Sequence, residues 1–219
     1  MCATSSPAAA AASHSRPVPV APVPQPDSLI LQGLTVAFLL TLTGSASAPG
    51  ASRTAHLVAH LGRQFAEDGH EVRHFDVRSL PAEALLSADA KDPEVARAVE
   101  LVARADALIV ASPVYKAAYS GVLKTFLDLL PQYALRDKAV LPLATGGSPA
   151  HVLAVDYALR PVLTSLGADV AQGWFVLDRH ITVDADRTVT LAPEAHDALA
   201  PVVERFRAAL PAGSRLAAA

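Results

Sequence analysis

The chain has 219 residues, 52% of them hydrophobic and 18% charged, with a net charge of −3 from 18 Lys and Arg against 21 Asp and Glu. That is a globular composition. It contains no Lys/Arg block, which excludes an electrostatic nucleic-acid binder, because phosphate contacts need clustered cations. Cys2 is the single cysteine, which excludes an intrachain disulfide, a CxxC redox pair, an iron–sulfur cluster and a thiolate zinc site; a reducing, cytoplasmic setting is expected.

Residues 1–32 form an Ala/Pro/Ser-rich extension, with the run Ala8–Ala12 followed by Pro17, Pro19, Pro22, Pro24 and Pro26. Proline at that spacing blocks helix and sheet hydrogen bonding, so a disordered or polyproline-like segment is expected. The apolar run Leu34–Leu42 and the following Gly44-Ser45-Ala46-Ser47-Ala48 have the outline of a signal peptide's core and cleavage site. The segment before them is long and proline-rich, with Arg16 as its only basic residue, and the run is too short to span a bilayer. A buried first strand explains it better, and no membrane association is expected. A single domain is expected over residues 33–212, with a flexible tail at 213–219.

From Gly33 onward the hydrophobic period alternates between strand and helix. Leu34–Leu42 is a near-continuous apolar run, as in a strand covered on both faces. Ser52 to Glu67 places Leu57, Val58, Leu61 and Phe65 at helical spacing, and Glu71–Val77 follows as a second strand. Pro93–Arg104 is helical, Ala107–Ala111 a third strand, Tyr119–Leu130 a helix and Lys138–Ala144 a fourth strand. His151–Leu166 is a helix closed by Gly167, Asp169–Leu177 the fifth strand and Pro193–Leu210 the last helix. Such alternation predicts a three-layer α/β/α domain with a doubly wound parallel sheet of order 2-1-3-4-5. Ligands of such sheets sit at the carboxyl ends of the strands, which directs attention to the loops after strands one, three and four.

The first loop, Thr43 to Thr54, carries Thr43, Ser45, Ser47, Ser52 and Thr54 and then opens a helix. Hydroxyls and free helix-start amides suit a phosphate, although Ser52 reads equally well as a simple N-cap. There is no G-x-x-x-x-G-K-[ST] and no G-x-G-x-x-G, which excludes the usual P-loop and leaves a dinucleotide on the first turn unsupported. The loop after strand three, Ser112 to Gly121, interleaves Tyr115 and Tyr119 with small residues and offers a flat surface to a planar ring. The loop after strand four, Thr145-Gly146-Gly147-Ser148, lets backbone approach a ligand closely.

These runs carry a resemblance. SPVYKAAYSGVLKTFLDLLP, KAVLPLATGGSPAHVLAVDYALRPVL and the GWF around Trp174 resemble the NADPH-dependent FMN reductases of the alkanesulfonate-assimilation type, within the flavodoxin-like flavin reductases; Ser52-Arg53-Thr54 matches the family's S-R-S/T. The resemblance implies a flavodoxin-like fold and a reductase that passes a hydride from NAD(P)H to FMN. Reduced FMN would then leave for an FMNH2-dependent alkanesulfonate monooxygenase. It implies that Ser45, Ser52, Arg53 and Thr54 hold the FMN phosphate and that Pro113, Val114, Tyr115 and Lys116 line the ring. Thr145, Gly146, Gly147 and Ser148 would contact ribityl and ring polar atoms. A homodimer or homotetramer is implied as well, with Tyr119, an extra tyrosine associated with a π-bulge, near a subunit interface where it aids flavin release.

The first loop departs from the family's G-S-P-R: it reads Gly44-Ser45-Ala46-Ser47 and lacks the arginine. Hydride transfer to a flavin needs no protein nucleophile, so no catalytic residue is assigned; Lys116 is the cation placed to favour an electron-rich ring. A flavoprotein that retains FMN and reduces quinones, azo dyes or metal oxyanions is one alternative, and a flavodoxin-like electron carrier is another. His56 and His60 stand four apart without a third ligand, and Ser148 after a strand faintly resembles a nucleophile elbow; a solvated helix face and a capped turn are the simpler readings.

Overall fold

Strand β1 (Phe38–Thr43) is buried along its whole length, as its near-continuous apolar run leads one to expect. It pairs in parallel with β2 (Glu71–Asp76) on one side and β3 (Ala107–Tyr115) on the other. Strand β5 (Ala139–Gly146) continues beyond β3, and β6 (Asp169–Val170) lies beyond β5, giving the order β2-β1-β3-β5-β6. This is the 2-1-3-4-5 order of flavodoxin-like sheets. The computed structural model describes residues 36–48 and 50–210. The predicted disordered extension, the start of the Leu34–Leu42 run, Pro49 and the tail lie outside the described residues.

Side chains alternate across the sheet with a period of two. Leu40, Leu108, Val110 and Val140 pack with α3 (Pro93–Arg104), α4 (Gly121–Leu127) and α5 (Arg160–Ser165) through Val95, Val102, Phe126 and Leu163. Leu39, Ile109 and Leu141 face the opposite way, onto Leu57, Leu61 and Phe65 of α1 (Arg53–Glu67) and Leu199 and Phe206 of α6 (Pro193–Ala208). A short helix, α2 (Ala82–Leu86), lies between β2 and α3.

Three expectations are corrected. The fifth strand is two pieces, β6 and β7 (Trp174–Leu177), both parallel to β5. The register runs from Ala139 opposite Asp169 to Leu143 opposite Trp174, so one extra residue is accommodated between the pieces. The Lys138 and Val140 carbonyls accept from Asp169 and Ala171, so by alternation Pro142 turns its nitrogen, which has no hydrogen, to the same neighbour. Gly173 fills the gap: a Cβ there would stand 2.4 Å from Val155 Cγ1 and 2.8 Å from the Pro142 carbonyl oxygen.

The predicted Tyr119–Leu130 helix begins later, at Gly121. Strand β3 runs on to Tyr115, and β4 (Ala118–Tyr119) returns antiparallel to it. The predicted His151–Leu166 helix is likewise broken, into a 3₁₀ turn at Pro149–His151, a π-turn at Val155–Leu159 and α5. The wide π-turn ends two residues before Pro161, whose missing N–H would leave an α-helical carbonyl unbonded. The π-type backbone therefore lies at Val155–Leu159, and Tyr119 sits in a strand that packs against it. A hairpin of β8 (Ile181–Val183) and β9 (Val189–Leu191) precedes α6.

Candidate functional site

The loops after β1, β3 and β5 meet at the carboxyl edge of the sheet through buried polar contacts. The Gly44 amide donates to the Ala111 carbonyl at 3.1 Å. A Cβ on Gly44 would lie 2.4 Å from Leu123 Cβ and 2.7 Å from its Cα, so only glycine lets the first loop lie against α4. Ser120 Oγ donates to the Gly44 carbonyl and caps α4 by accepting from Leu123 N at 3.1 Å. Ser112 Oγ accepts from Ser120 N at 2.8 Å, which binds the end of β3 to the same junction. At the head of α1, the Thr54 and Thr145 hydroxyls are buried and bonded to each other at 2.6 Å, joining the first loop to the end of β5.

Ser45 is buried, and its Oγ accepts from Ser47 N at 3.2 Å. Ser52 Oγ accepts from Ala55 N at 3.1 Å and its carbonyl from His56 N, so Ser52 is the N-cap of α1. Helix geometry leaves the Arg53 and Thr54 amides without an intrahelical partner. Arg53 lines a neighbouring cleft bounded by the Asp178–Arg187 segment. The cation at the first loop is one that sequence reasoning missed: Arg78, just after β2, donates from Nη1 to the Ala46 carbonyl at 2.7 Å. It stands 32 residues from the loop in sequence, and no local motif marks it.

Beside the loop after β3, Pro113 and Val114 are half-buried, while Tyr115 and Lys116 are exposed. Lys116 and Ala117 take φ of +50° and +66°, the backbone of a two-residue hairpin turn built here without glycine. Tyr119 is half-buried, and burial holds its phenol above the ordinary tyrosine value. After β5 the two glycines have different roles. Gly146 is packed by Phe175, whose ring would stand 3.1 Å from a Cβ there, whereas a Cβ on Gly147 would meet nothing. Ser148 Oγ accepts from Ala150 N at 3.3 Å as the cap of the following turn. His151, in that turn, has a buried Nδ1 with no hydrogen-bond partner among the described residues. His56 Nε2 bonds to the Gly50 carbonyl and His60 Nε2 to the Gln64 amide.

The residues at this edge suit an anionic, ring-bearing cofactor. A buried, hydroxyl-lined loop ends in free helix amides, an open glycine faces outward, and the orphaned His151 nitrogen calls for a polar partner. Sheet and site together define an α/β domain of flavodoxin-like order whose ligand edge suits a phosphorylated, ring-bearing molecule.

Residues 39–182 match the family of NADPH-dependent FMN reductases, and the chain belongs to that family. It is 47% identical over 169 residues to an FMN reductase (NADPH) of Pseudomonas putida, covering 74% of this chain and 84% of that protein. It is 43% identical over 173 residues to an FMN reductase (NADPH) of Escherichia coli, covering 78% and 89%. The apo form of an NADH:FMN oxidoreductase superposes with a TM-score of 0.70 at 40% identity, covering 83% of this chain and 92% of that one. The protein is thus an NAD(P)H-dependent FMN reductase, with FMN and NADPH as its cofactors. Among the described residues no helix is long and apolar enough to cross a membrane.

Proposed function

We propose that the protein treats FMN as a substrate, reduces it with NADPH in the cytoplasm and releases it to an FMNH2-dependent alkanesulfonate monooxygenase. The observation that carries this reading is the first loop, in which buried hydroxyls lead into open helix amides and are braced by the Thr54–Thr145 bond. When bound, FMN supplies the ring that accepts the hydride. Ser45, Ser52 and Thr54 hold its phosphate with the Arg53 and Thr54 amides, and Arg78 compensates for the arginine that the loop lacks. Pro113, Val114, Tyr115 and Lys116 line the ring and keep the nicotinamide face oriented. Thr145, Gly147 and Ser148 contact its polar atoms, and the Gly146 backbone closes behind them on Phe175.

Anaerobic mixing of flavin-free protein with NADPH and excess FMN tests the reading, with nicotinamide and flavin absorbance followed together. Many turnovers of free FMN are expected. A single stoichiometric reduction without release would make the protein a flavoprotein with another acceptor, and FMN binding without NADPH oxidation would make it an electron carrier. For the phosphate loop, Ser52→Ala with Thr54→Ala is expected to weaken FMN binding by a few kcal/mol, since each bond lost to a charged group costs about 1.5–3 kcal/mol. Riboflavin, which has no phosphate, should bind the variant and the wild type alike; equal losses for both ligands would point to a collapsed loop.

The same reading includes a homo-oligomer with Tyr119 near its interface. Leu153 and Tyr157 are 58% and 78% exposed, and the π-turn that carries Tyr157 packs against β4. Apolar side chains left this open suit burial against a second copy. Tyr119→Ala is expected to shift the assembly toward smaller species in sedimentation and to slow FMN release. Unchanged sedimentation and release rates would remove Tyr119 from the interface.

A further inference from the structure

A cleft of about 630 Å³ opens beside the first turn of α1, with Arg53 and His56 on one wall and the segment from Asp178 to Arg187 on the other. Three arginines line it from three separate places: Arg53 on α1, Arg179 in the turn after β7, and Arg187 in the turn between β8 and β9. Arg73, Arg160 and Arg207 all have carboxylate partners. Arg53, Arg179 and Arg187 have none in the ion pairs among the described residues. Asp178 and Asp184 also line the cleft, so three arginines face two carboxylates and the lining keeps an excess of positive charge. His56 is committed to the Gly50 carbonyl through Nε2 at 2.9 Å.

The volume is in the range of small-molecule sites, and a guanidinium cluster is the side-chain chemistry that grips phosphate bidentately. Arg53 directly follows Ser52, the last residue of the loop before α1, so an anion in this cleft lies one residue along the chain from the loop proposed for the FMN phosphate. The other substrate of an FMN reductase is itself a phosphorylated nucleotide. NADPH differs from NADH only in a ribose 2′-phosphate, a dianion with nothing to pair with unless the protein supplies cations.

We propose that this cleft binds the phosphorylated adenosine end of NADPH, with Arg53, Arg179 and Arg187 on the 2′-phosphate, and thereby sets the preference for NADPH over NADH. The proposal rests on the reductase reading above. Calorimetric titration of the flavin-free protein with adenosine 2′,5′-bisphosphate and with adenosine 5′-monophosphate tests it without turnover. The bisphosphate is expected to bind the wild type at least tenfold more tightly. The double variant Arg179→Ala with Arg187→Ala should lose most of that difference, and its kcat/KM ratio for NADPH over NADH should fall at least tenfold. Equal binding of both probes to the wild type would overturn the proposal without reference to any variant, and so would a double variant that discriminates as well as the wild type. If the double variant instead loses FMN affinity, the guanidiniums belong to the flavin phosphate and the proposal fails while the reductase reading stands. Absence of NADPH oxidation together with intact probe binding would reject the reductase reading alone.

Discussion

Gly44 shows how a single missing side chain positions the site. A Cβ there would meet Leu123 Cβ at 2.4 Å, Cα at 2.7 Å and N at 2.8 Å, and two of these atoms are helix backbone that cannot rotate away. Gly44→Ala must therefore push the first loop and α4 apart, breaking the Ser120–Gly44 bond at the centre of the junction. Overpacking of this kind costs roughly 1–3 kcal/mol, and the displaced loop also carries Ser45. A lowered urea midpoint together with weaker FMN binding is expected. A variant with wild-type stability would mean that α4 tolerates the shift and that the close approach has no energetic role.

Among the elements, the Tyr115–Ala118 hairpin is the place where local rules and the fold disagree. Two-residue turns with both central residues at positive φ call for Asn-Gly or a similar pair, yet Lys116 and Ala117 occupy them at +50° and +66°. Left-handed backbone costs an alanine about 1–2 kcal/mol, so Ala117→Gly should stabilise the protein by up to roughly 1 kcal/mol once the added unfolded-state entropy is counted. Denaturation midpoints of the two proteins check this. If the flavin ring lies on this hairpin, the relaxed turn should also lower FMN affinity. The turn was illegible in the sequence for the same reason: KA carries no turn signal, and the Tyr119–Leu130 periodicity concealed a strand at Ala118–Tyr119. The central strands were legible because burial on both faces forces unbroken apolar runs such as Phe38–Leu40 and Ala107–Ala111. The split of the fifth strand depended on Pro142, which lies on the neighbouring strand and outside any local window.

At the scale of the whole molecule, the hydroxyl loop and the two loops beside it were readable because parallel topology alone places them together. The cations were not: Arg78 reaches Ala46, and Arg179 and Arg187 come to line one cleft with Arg53, only once the sheet and the β8–β9 hairpin have formed. The folded state also fixes how stability responds to pH. His60 and His74 are both held below the ordinary value of 6.5, first by desolvation and next by the nearby Arg63 cation; His196 also lowers His60, and Glu67 opposes. His74 Nδ1 lies 2.6 Å from Thr41 Oγ1, and its ring packs over Gly62.

A histidine depressed in the fold binds its proton more readily in the unfolded chain. Its contribution is therefore complete above the unfolded value and is lost as pH falls through 6.5 toward the lower folded value. Urea midpoints should decline as pH is lowered from about 7 to about 5. His60→Gln with His74→Gln should flatten that decline, because glutamine takes up no proton in either state. A double variant that keeps the full slope would remove these two histidines as the source of the acid sensitivity.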